Sequence, residues 1–246
     1  MIDATVIIQA RMGSKRFPGK MLADLCGKPV IEHVIDRVLD SGPRLVVVAI
    51  PDTPENVPLA HHIENEPTLF ERLDKNDVAN GLLLRQVARL RIPVRLFRGN
   101  ESDVLRRFSD AATWAFAQYG ATAGIVRITG DCPLVDHWLI GELFQTFRRS
   151  GMAYVGQTND PDGSDVEVFS YDALMRSNEM AKEQRQREHV TTYMRECMNG
   201  FINPSYCSTE NVKFSVDTPA DLARCAELIR KCGVNAGWRK YMEALQ

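Results

Sequence analysis

Four cations, Arg11, Lys15, Arg16 and Lys20, fall within a ten-residue stretch, interleaved with Gly13, Pro18 and Gly19. The stretch follows an apolar, β-branched run at residues 5–8. A strand that ends in a basic, glycine-bearing turn is suited to a polyphosphate. Glycines let backbone N–H groups approach an anion closely, and the cations neutralise it. Two familiar phosphate loops are excluded by spacing. Walker A, G-x-x-x-x-G-K-[ST], needs one residue fewer between its glycines and a hydroxyl after the lysine. Here Gly13 and Gly19 enclose five residues and Met21 follows Lys20. The dinucleotide pattern G-x-G-x-x-G is absent.

Two aspartates could work beside that loop. Asp131 ends an apolar run in V-R-I-T-G-D-C-P-L, and Asp217 ends another in V-D-T-P-A-D-L. A carboxylate placed as Asp131 is can hold a hard divalent cation, and Mg²⁺ takes only one or two carboxylates, with phosphates and water completing its shell. Each aspartate also has a plainer reading, Asp131 as the cap of a turn and Asp217 or Thr218 as a helix N-cap. Asp221, one helical turn on, reads as structural. Cys132 lies inside the first motif with no evident base to make its thiol a nucleophile.

The elements that must position these groups alternate along the chain. Residues 5–8, 45–50, 94–97, 124–128, 166–169 and 212–216 read as strands. The run 45–50 is apolar throughout, as in strands buried on both faces of a parallel sheet. Between them lie helical periods. Residues 29–39 put Val30, Ile31, Val34, Ile35, Val38 and Leu39 on one face. A helix capped by Ser102 turns Val104, Leu105, Phe108, Ala111, Ala112 and Ala115 inward. Another starts at Asp136 and runs towards Arg148, and Pro219 opens a last one. The pattern predicts a three-layer α/β fold, a predominantly parallel sheet with helices on both faces. Ligands of such sheets bind beyond the carboxyl ends of the strands, where the basic loop, Asp131 and Asp217 fall.

At 246 residues and 27.7 kDa the chain fits one large domain. Its formal charge of −2 gives no electrostatic case for binding nucleic acid or a membrane surface, so the local basic cluster suits a small anion. No apolar run approaches the ~20 residues of a membrane-spanning helix. The start Met1-Ile2-Asp3 lacks the regions of a signal peptide, and a cytoplasmic location is expected. Six cysteines, at 26, 132, 197, 207, 225 and 232, are scattered without C-x-x-C, which argues against both zinc and a disulfide framework.

The loop from Ile7 to Lys20 resembles the signature of nucleotidyltransferases that activate sugars. With G-D-C-P-L (130–134), D-V-E-V-F (165–169), R-E-H-V-T (187–191) and D-T-P-x-D-L (217–222), the chain resembles the sugar-activating cytidylyltransferase family of the spore-coat polysaccharide type. That family is related to the enzymes making CMP-Kdo and CMP-sialic acid. The resemblance implies one nucleotide-diphospho-sugar transferase domain over 1–246. Its nucleotide-binding half would be 1–150, its acceptor and dimer region 151–211, and its C-terminal strand and helices 212–246. It also implies transfer of CMP from CTP to an anionic sugar, first of all a 3-deoxy-2-ulosonic acid, with Mg²⁺ as cofactor and pyrophosphate released.

By the same resemblance Ala10, Arg11, Met12, Gly13, Ser14, Arg16 and Lys20 bind the nucleotide, with Asp103 near the nucleoside. Arg11, Lys20 and Asp131 are then the catalytic groups, and Asp131 and Asp217 hold the metal. Asp165, Glu167, Arg187 and His189 form the acceptor pocket, with Arg187 and His189 suited to a carboxylate. An exposed helix start with Glu188 as its N-terminal charge is the plainer reading of 187–191. Ser164 stands where relatives carry Leu, which leaves the acceptor open. Relatives have a short connection at 51–93, so 74–77 and a helix-like stretch at 78–90 read as a surface insertion. Another NTP used with a sugar phosphate stays open, as does a non-catalytic nucleotide sensor on the same fold. Val166, Val168 and Phe169, with Val190, Tyr193, Met194, Cys197 and Met198 along one helical face, give residues 154–206 more apolar surface than a peripheral segment needs. A two-fold homodimer through this region is expected, the alternative being that the face packs on its own sheet.

Overall fold

Val6, Ile7 and Ile8 in β1 (Ala4–Gln9) are completely buried. Burying side chains of this kind contributes roughly 1.5–3 kcal/mol each, so the run belongs in the middle of a sheet. The computed structural model describes residues 1–65, 92–157, 161–203 and 212–245, and there β1 is central. The sheet has seven strands in the order β5-β4-β1-β6-β8-β7-β9. They are β4 (Leu45–Pro51), β5 (Val94–Gly99), β6 (Gly124–Thr129), β7 (Tyr154–Gln157), β8 (Glu167–Phe169) and β9 (Gly200–Asn203). Only β8 is antiparallel to its neighbours.

The chain moves outward from β1 through β4 to β5, then returns to place β6 on the other side of β1. Right-handed crossovers taken in opposite directions send their helices to opposite faces. Accordingly α1 (Val30–Asp40) packs on one face with Val6, Ile8 and Val48. On the other, α3 (Val104–Tyr119) packs with Ile7, Val47 and Ala49. Between them comes α2 (Val57–Asn65). The reversal leaves a crevice at the carboxyl ends of β1 and β6. Gln9 pairs with Thr129 there, and Gly130 donates to the Gln9 carbonyl at 2.7 Å. A Cβ on Gly130 would lie 3.0 Å from that of Ala10 and 3.1 Å from the Gln9 oxygen, so a glycine lets the two strand ends close up.

A third core sits beside the crevice. The hairpin β2 (Asp24–Leu25) and β3 (Lys28–Pro29) joins Phe214, Val216, α8 (Pro219–Cys232) and α9 (Trp238–Glu243). The buried Arg37 guanidinium, on α1, ties this unit down by donating to the carbonyls of Val135, Val234 and Ala236 and to the Tyr241 hydroxyl. The remaining helices are α4 (His137–Ser150), α5 (Tyr171–Met180), α6 (Gln184–Glu188) and α7 (Thr192–Cys197). No helix among the described residues is long and apolar enough to cross a membrane.

Several expectations need correction. Residues 212–216 are not a strand of the sheet. Their backbone is taken up instead by the loop at Asp162, whose carbonyl accepts from Phe214 and Ser215, and by Asp131. The cap of α3 is Asp103, which accepts from Arg106 N at 2.9 Å, and not Ser102. The proposed insertion at 74–77 and 78–90 lies outside the described residues. The apolar face of 190–198 is not a free surface either. Val190 and Met194 are fully buried in the core formed by α3, α5 and Phe169. Tyr193 and Met198 are half-buried against the same core and Cys197 is exposed, so most of this apolar face is covered within the chain and gives a dimer little surface.

Burial of Met194 makes a direct prediction. Met194→Glu puts an unpaired carboxylate in an apolar core and should cost more than ~3 kcal/mol. Urea denaturation would read this as a large fall in midpoint; a chain that keeps its stability would contradict the packing.

Candidate active site

The basic loop is shaped mainly by its backbone. Ala10 N donates to the Ala49 carbonyl and Met12 N to Asn56 Oδ1 at 2.8 Å, while Gly19 N reaches back to the Met12 carbonyl. Gly19 sits at φ 76°, a left-handed turn that glycine adopts without steric cost. That turn drives the next side chain, Lys20, inward to 6% exposure. Arg11, Gly13, Lys15 and Arg16 stay exposed, and Met12 and Ser14 are half-buried. Arg11 and Lys15 make no hydrogen bond or ion pair among the described residues. The loop walls a cleft of about 420 Å³ floored by Thr129, Asp131 and Asp217.

Asp131 and Asp217 are brought together by one backbone bond, Val216 N to the Asp131 carbonyl at 2.8 Å. Gly163, at φ 95°, makes room for it, since a Cβ there would lie 2.3 Å from Ser215 N. Lys20 Nζ sits between the two carboxylates, 2.6 Å from Asp131 Oδ2 and 3.0 Å from Asp217 Oδ1. Arg16 lies 2.9 Å from the same Asp217 oxygen, and Lys213 reaches Asp217 Oδ2 at 2.8 Å and Asp221 Oδ2 at 3.1 Å. Burial would raise the Asp217 carboxyl, but hydrogen bonds from Lys213 and Lys20 outweigh it and hold it below the usual carboxylate range. Asp221 closes a capping box with Thr218 on α8, the structural role read from sequence. Two carboxylates within reach of one ammonium are a hard-oxygen pair of the number Mg²⁺ uses. Burial, reinforced by the Asp131 charge, pushes the Cys132 thiol well above its ordinary value, so it stays protonated.

Thr129, Asp131 and Asp217 also border a second recess, of about 520 Å³. Its far wall comes from β8, α6 and α7. Arg127 on β6 faces Glu167 on β8 in direct register, with Nη1 2.5 Å from Oε2. Glu167 Oε1 accepts from the Tyr154 hydroxyl at 2.8 Å and from Thr191 at 2.6 Å. Burial opposes the Glu167 charge, yet Arg127 and these donors hold its carboxyl below the ordinary value. Arg195 Nε donates to the Tyr154 hydroxyl at 2.9 Å, and the residue lines the recess. Asp165 and His189 line it too. Asp165 keeps an accessible edge, but lost hydration and the charges of Glu167 and Asp162 raise its carboxyl.

Arg187 and Asp103 are not brought to either opening. Arg187 grips Asp103 with Nε and Nη2, and donates to the carbonyl and side-chain oxygen of Asn178 at 2.6 and 2.8 Å. This pairing locks α6 to the start of α3. Arg127, Arg195, Lys213 and Asn56 are the polar groups that sequence reasoning passed over. For Arg127 a signal existed, since an arginine inside the apolar strand V-R-I needs a partner at the same level of a neighbouring strand. A larger groove, about 660 Å³, lies beside Ile2, Gly42 and Ile92 at the opposite, amino ends of the strands.

A mostly parallel sheet with its ligand crevice at the β1–β6 reversal is the architecture of nucleotidyltransferases of the nucleotide-diphospho-sugar transferase fold. Sequence comparison is more specific: the cytidylyltransferase family model matches residues 5–57 and 83–203, and the chain belongs to that family. An uncharacterized protein of Methanocaldococcus jannaschii is 33% identical over 227 residues, covering 90% of this chain and 81% of its own. Spore coat polysaccharide biosynthesis protein SpsF of Bacillus subtilis is 28% identical over 247 residues, covering 95% and 89%. Among solved structures, a cytidylyltransferase from Leptospira borgpetersenii matches 100% of this chain and 94% of its own, with TM-score 0.75 and 20% identity. A CMP-2-keto-3-deoxy-manno-octonic acid synthetase complexed with CTP matches 93% and 98%, with TM-score 0.62 and 18% identity. At these identities the two structures support the fold.

Glu167 gives the site a pH signature. Its carboxyl is held below its unfolded value, so its ionised form stabilises the fold above the ordinary carboxylate range and that contribution is lost as pH falls through the folded value. Glu167→Gln, which removes the charge opposite Arg127 and leaves it only neutral acceptors such as Gln9, should cost ~3 kcal/mol at neutral pH. In urea melts the stability gap between the two chains should begin to narrow as pH falls through about 4, where a free Glu titrates, and go on closing through the lower folded value. A gap that is constant or widens on acidification would contradict the ion pair.

Proposed function

We propose that the chain is a Mg²⁺-dependent cytidylyltransferase that moves CMP from CTP to an anionic sugar, a 3-deoxy-2-ulosonic acid, in surface polysaccharide biosynthesis. The observation that carries the reading is the meeting of two openings at Asp131 and Asp217, one walled by the basic loop and the other by β8, α6 and α7. A two-substrate transfer needs that arrangement, with donor and acceptor converging on one phosphorus. The family match and the CTP-bound neighbour support the donor. The spore-coat relative supports the pathway class.

In this reading Arg11, Arg16 and Lys20 bind the triphosphate and Ala10 to Ser14 supply backbone contacts to the nucleotide. Asp131 and Asp217 would hold Mg²⁺, which when bound neutralises phosphate charge. An acceptor hydroxyl attacks the α-phosphorus in line and pyrophosphate leaves opposite, with positioning and charge stabilisation as the main contributions of the protein. Arg187 is committed to Asp103, so the acceptor's carboxylate falls to Arg195, whose guanidinium is held by Tyr154 at the recess wall. Free thiols at Cys26, Cys132, Cys197, Cys225 and Cys232 suit a cytoplasmic enzyme. A homodimer belongs to the same proposal on the family resemblance alone, and light scattering on the unmodified chain reads it.

Pyrophosphate release, assayed with each of the four NTPs and a panel of sugar acids, tests the reading. CTP should be preferred, and Asp131→Ala should lower turnover at saturating CTP by more than ~100-fold. Preference for UTP or GTP, or near-normal release by Asp131→Ala, would overturn it. On the acceptor side, Arg195→Met should raise the KM for an acidic sugar by ~10–100-fold with kcat changed far less, as expected for a lost charge-assisted bond. An unchanged KM would move the carboxylate elsewhere in the recess.

A further inference from the structure

The ammonium of Lys20 points to the wrong partner for a phosphate ligand. It is buried and donates to both carboxylates that would hold the divalent cation, at 2.6 and 3.0 Å. Arg16, from the same loop, also rests on Asp217, and Lys213 takes that residue's other oxygen. In this arrangement the cations suited to phosphate neutralise the carboxylates suited to metal. An ammonium and a divalent cation on the same carboxylate oxygen repel each other, so the two compete for Asp131 Oδ2 and Asp217 Oδ1.

We propose that Lys20 is a placeholder, holding Asp131 and Asp217 until a nucleoside triphosphate draws its ammonium away and frees them for the divalent cation. The proposal rests on the reading of this cleft as a nucleotidyl-transfer site. A bare divalent cation would enter a patch where three cations, Arg16, Lys20 and Lys213, already pair with two carboxylates, beside an ammonium that solvent screens poorly. A triphosphate reverses the balance. Lys20 and Arg16 exchange carboxylate partners for phosphate oxygens without loss of pairing, and Lys213, which lies outside the loop and also holds Asp221, keeps Asp217 oriented. Nucleotide and metal then bind with positive coupling, each raising the affinity for the other.

The test uses Mn²⁺ binding to the full chain without nucleotide or acceptor, followed by electron paramagnetic resonance. Lys20→Met should bind Mn²⁺ at least ~10-fold more tightly than the unmodified chain, within the range of ordinary coupling energies. Adding Asp131→Asn to that variant should abolish the gain. Equal affinity of the unmodified and Lys20→Met chains, or a gain that survives Asp131→Asn, would overturn the placeholder. Should Lys20→Met fail to fold, the lysine side-chain NMR signal of Lys20 in the unmodified chain, assigned with Lys20→Arg, decides the matter. CTP without metal should move that signal and millimolar Mg²⁺ alone should not; displacement by Mg²⁺ alone would overturn the proposal. Because turnover is not involved, an active enzyme without the Mn²⁺ gain defeats only the placeholder. A Mn²⁺ gain in a chain that transfers no nucleotide defeats only the functional reading.

Discussion

The site depends on keeping two carboxylates from distant parts of the chain side by side with a buried ammonium between them. Asp131 arrives at the end of β6, whereas Asp217 arrives on an irregular segment that no ladder of the sheet fixes. That segment is held by the Val216–Asp131 backbone bond, by the Asp162 carbonyl, and by Phe214 and Val216 in the third core. Each contact is modest alone, and together they overcome the mutual repulsion of the carboxylates only because Lys20, Arg16 and Lys213 compensate their charge. Ion pairs this close to the interior add little net stability once desolvation is counted. Their consequence is geometric: two oxygens are aimed into one small volume at the crevice.

The single antiparallel strand decides the chemistry of the other half. A further parallel strand after β6 would need a crossover and would present its carboxyl end to the crevice. β8 instead runs back against β6, and its first residue, Glu167, stands opposite Arg127. The pair is buried, so its remaining lone pairs and protons must find partners. Tyr154 and Thr191 supply them, and through Tyr154 the network reaches Arg195 at the recess wall. A charge inside the sheet thus sets the position of a cation at the surface. The same logic removes Arg187 from the recess, because its fork is saturated by Asp103 and Asn178.

Fold likeness and chemistry carry different weight here. Structures with TM-scores of 0.75 and 0.62 share this sheet at 20% and 18% identity, and folds of this kind serve many substrates. What narrows the reading is the family match together with the side chains at the β1–β6 reversal. The second recess is built differently from the cleft at the basic loop, since part of its wall comes from short helices and a short strand outside the central parallel core.

By itself the sequence determined the strands β1, β4, β5 and β6, the helices α1, α3, α4 and α8, the loop, and both aspartates. Those elements have strong local signals: continuous Val/Ile runs, a helical period with alanines facing inward, and glycines and cations at a strand end. Only the tertiary structure decided which charges meet. It put Lys20 on the aspartates, gave Arg187 to Asp103, made Asp103 the helix cap in place of Ser102, and enclosed Met194. It also withdrew residues 212–216 from the sheet, because their hydrogen bonds were met by Asp162 and Asp131. Periodicity and turn chemistry are read from neighbours a few residues away, so they survive in one dimension. The partner of a long side chain is chosen by whichever opposite charge the fold brings within about 3 Å, and that distance exists only after the strands have paired.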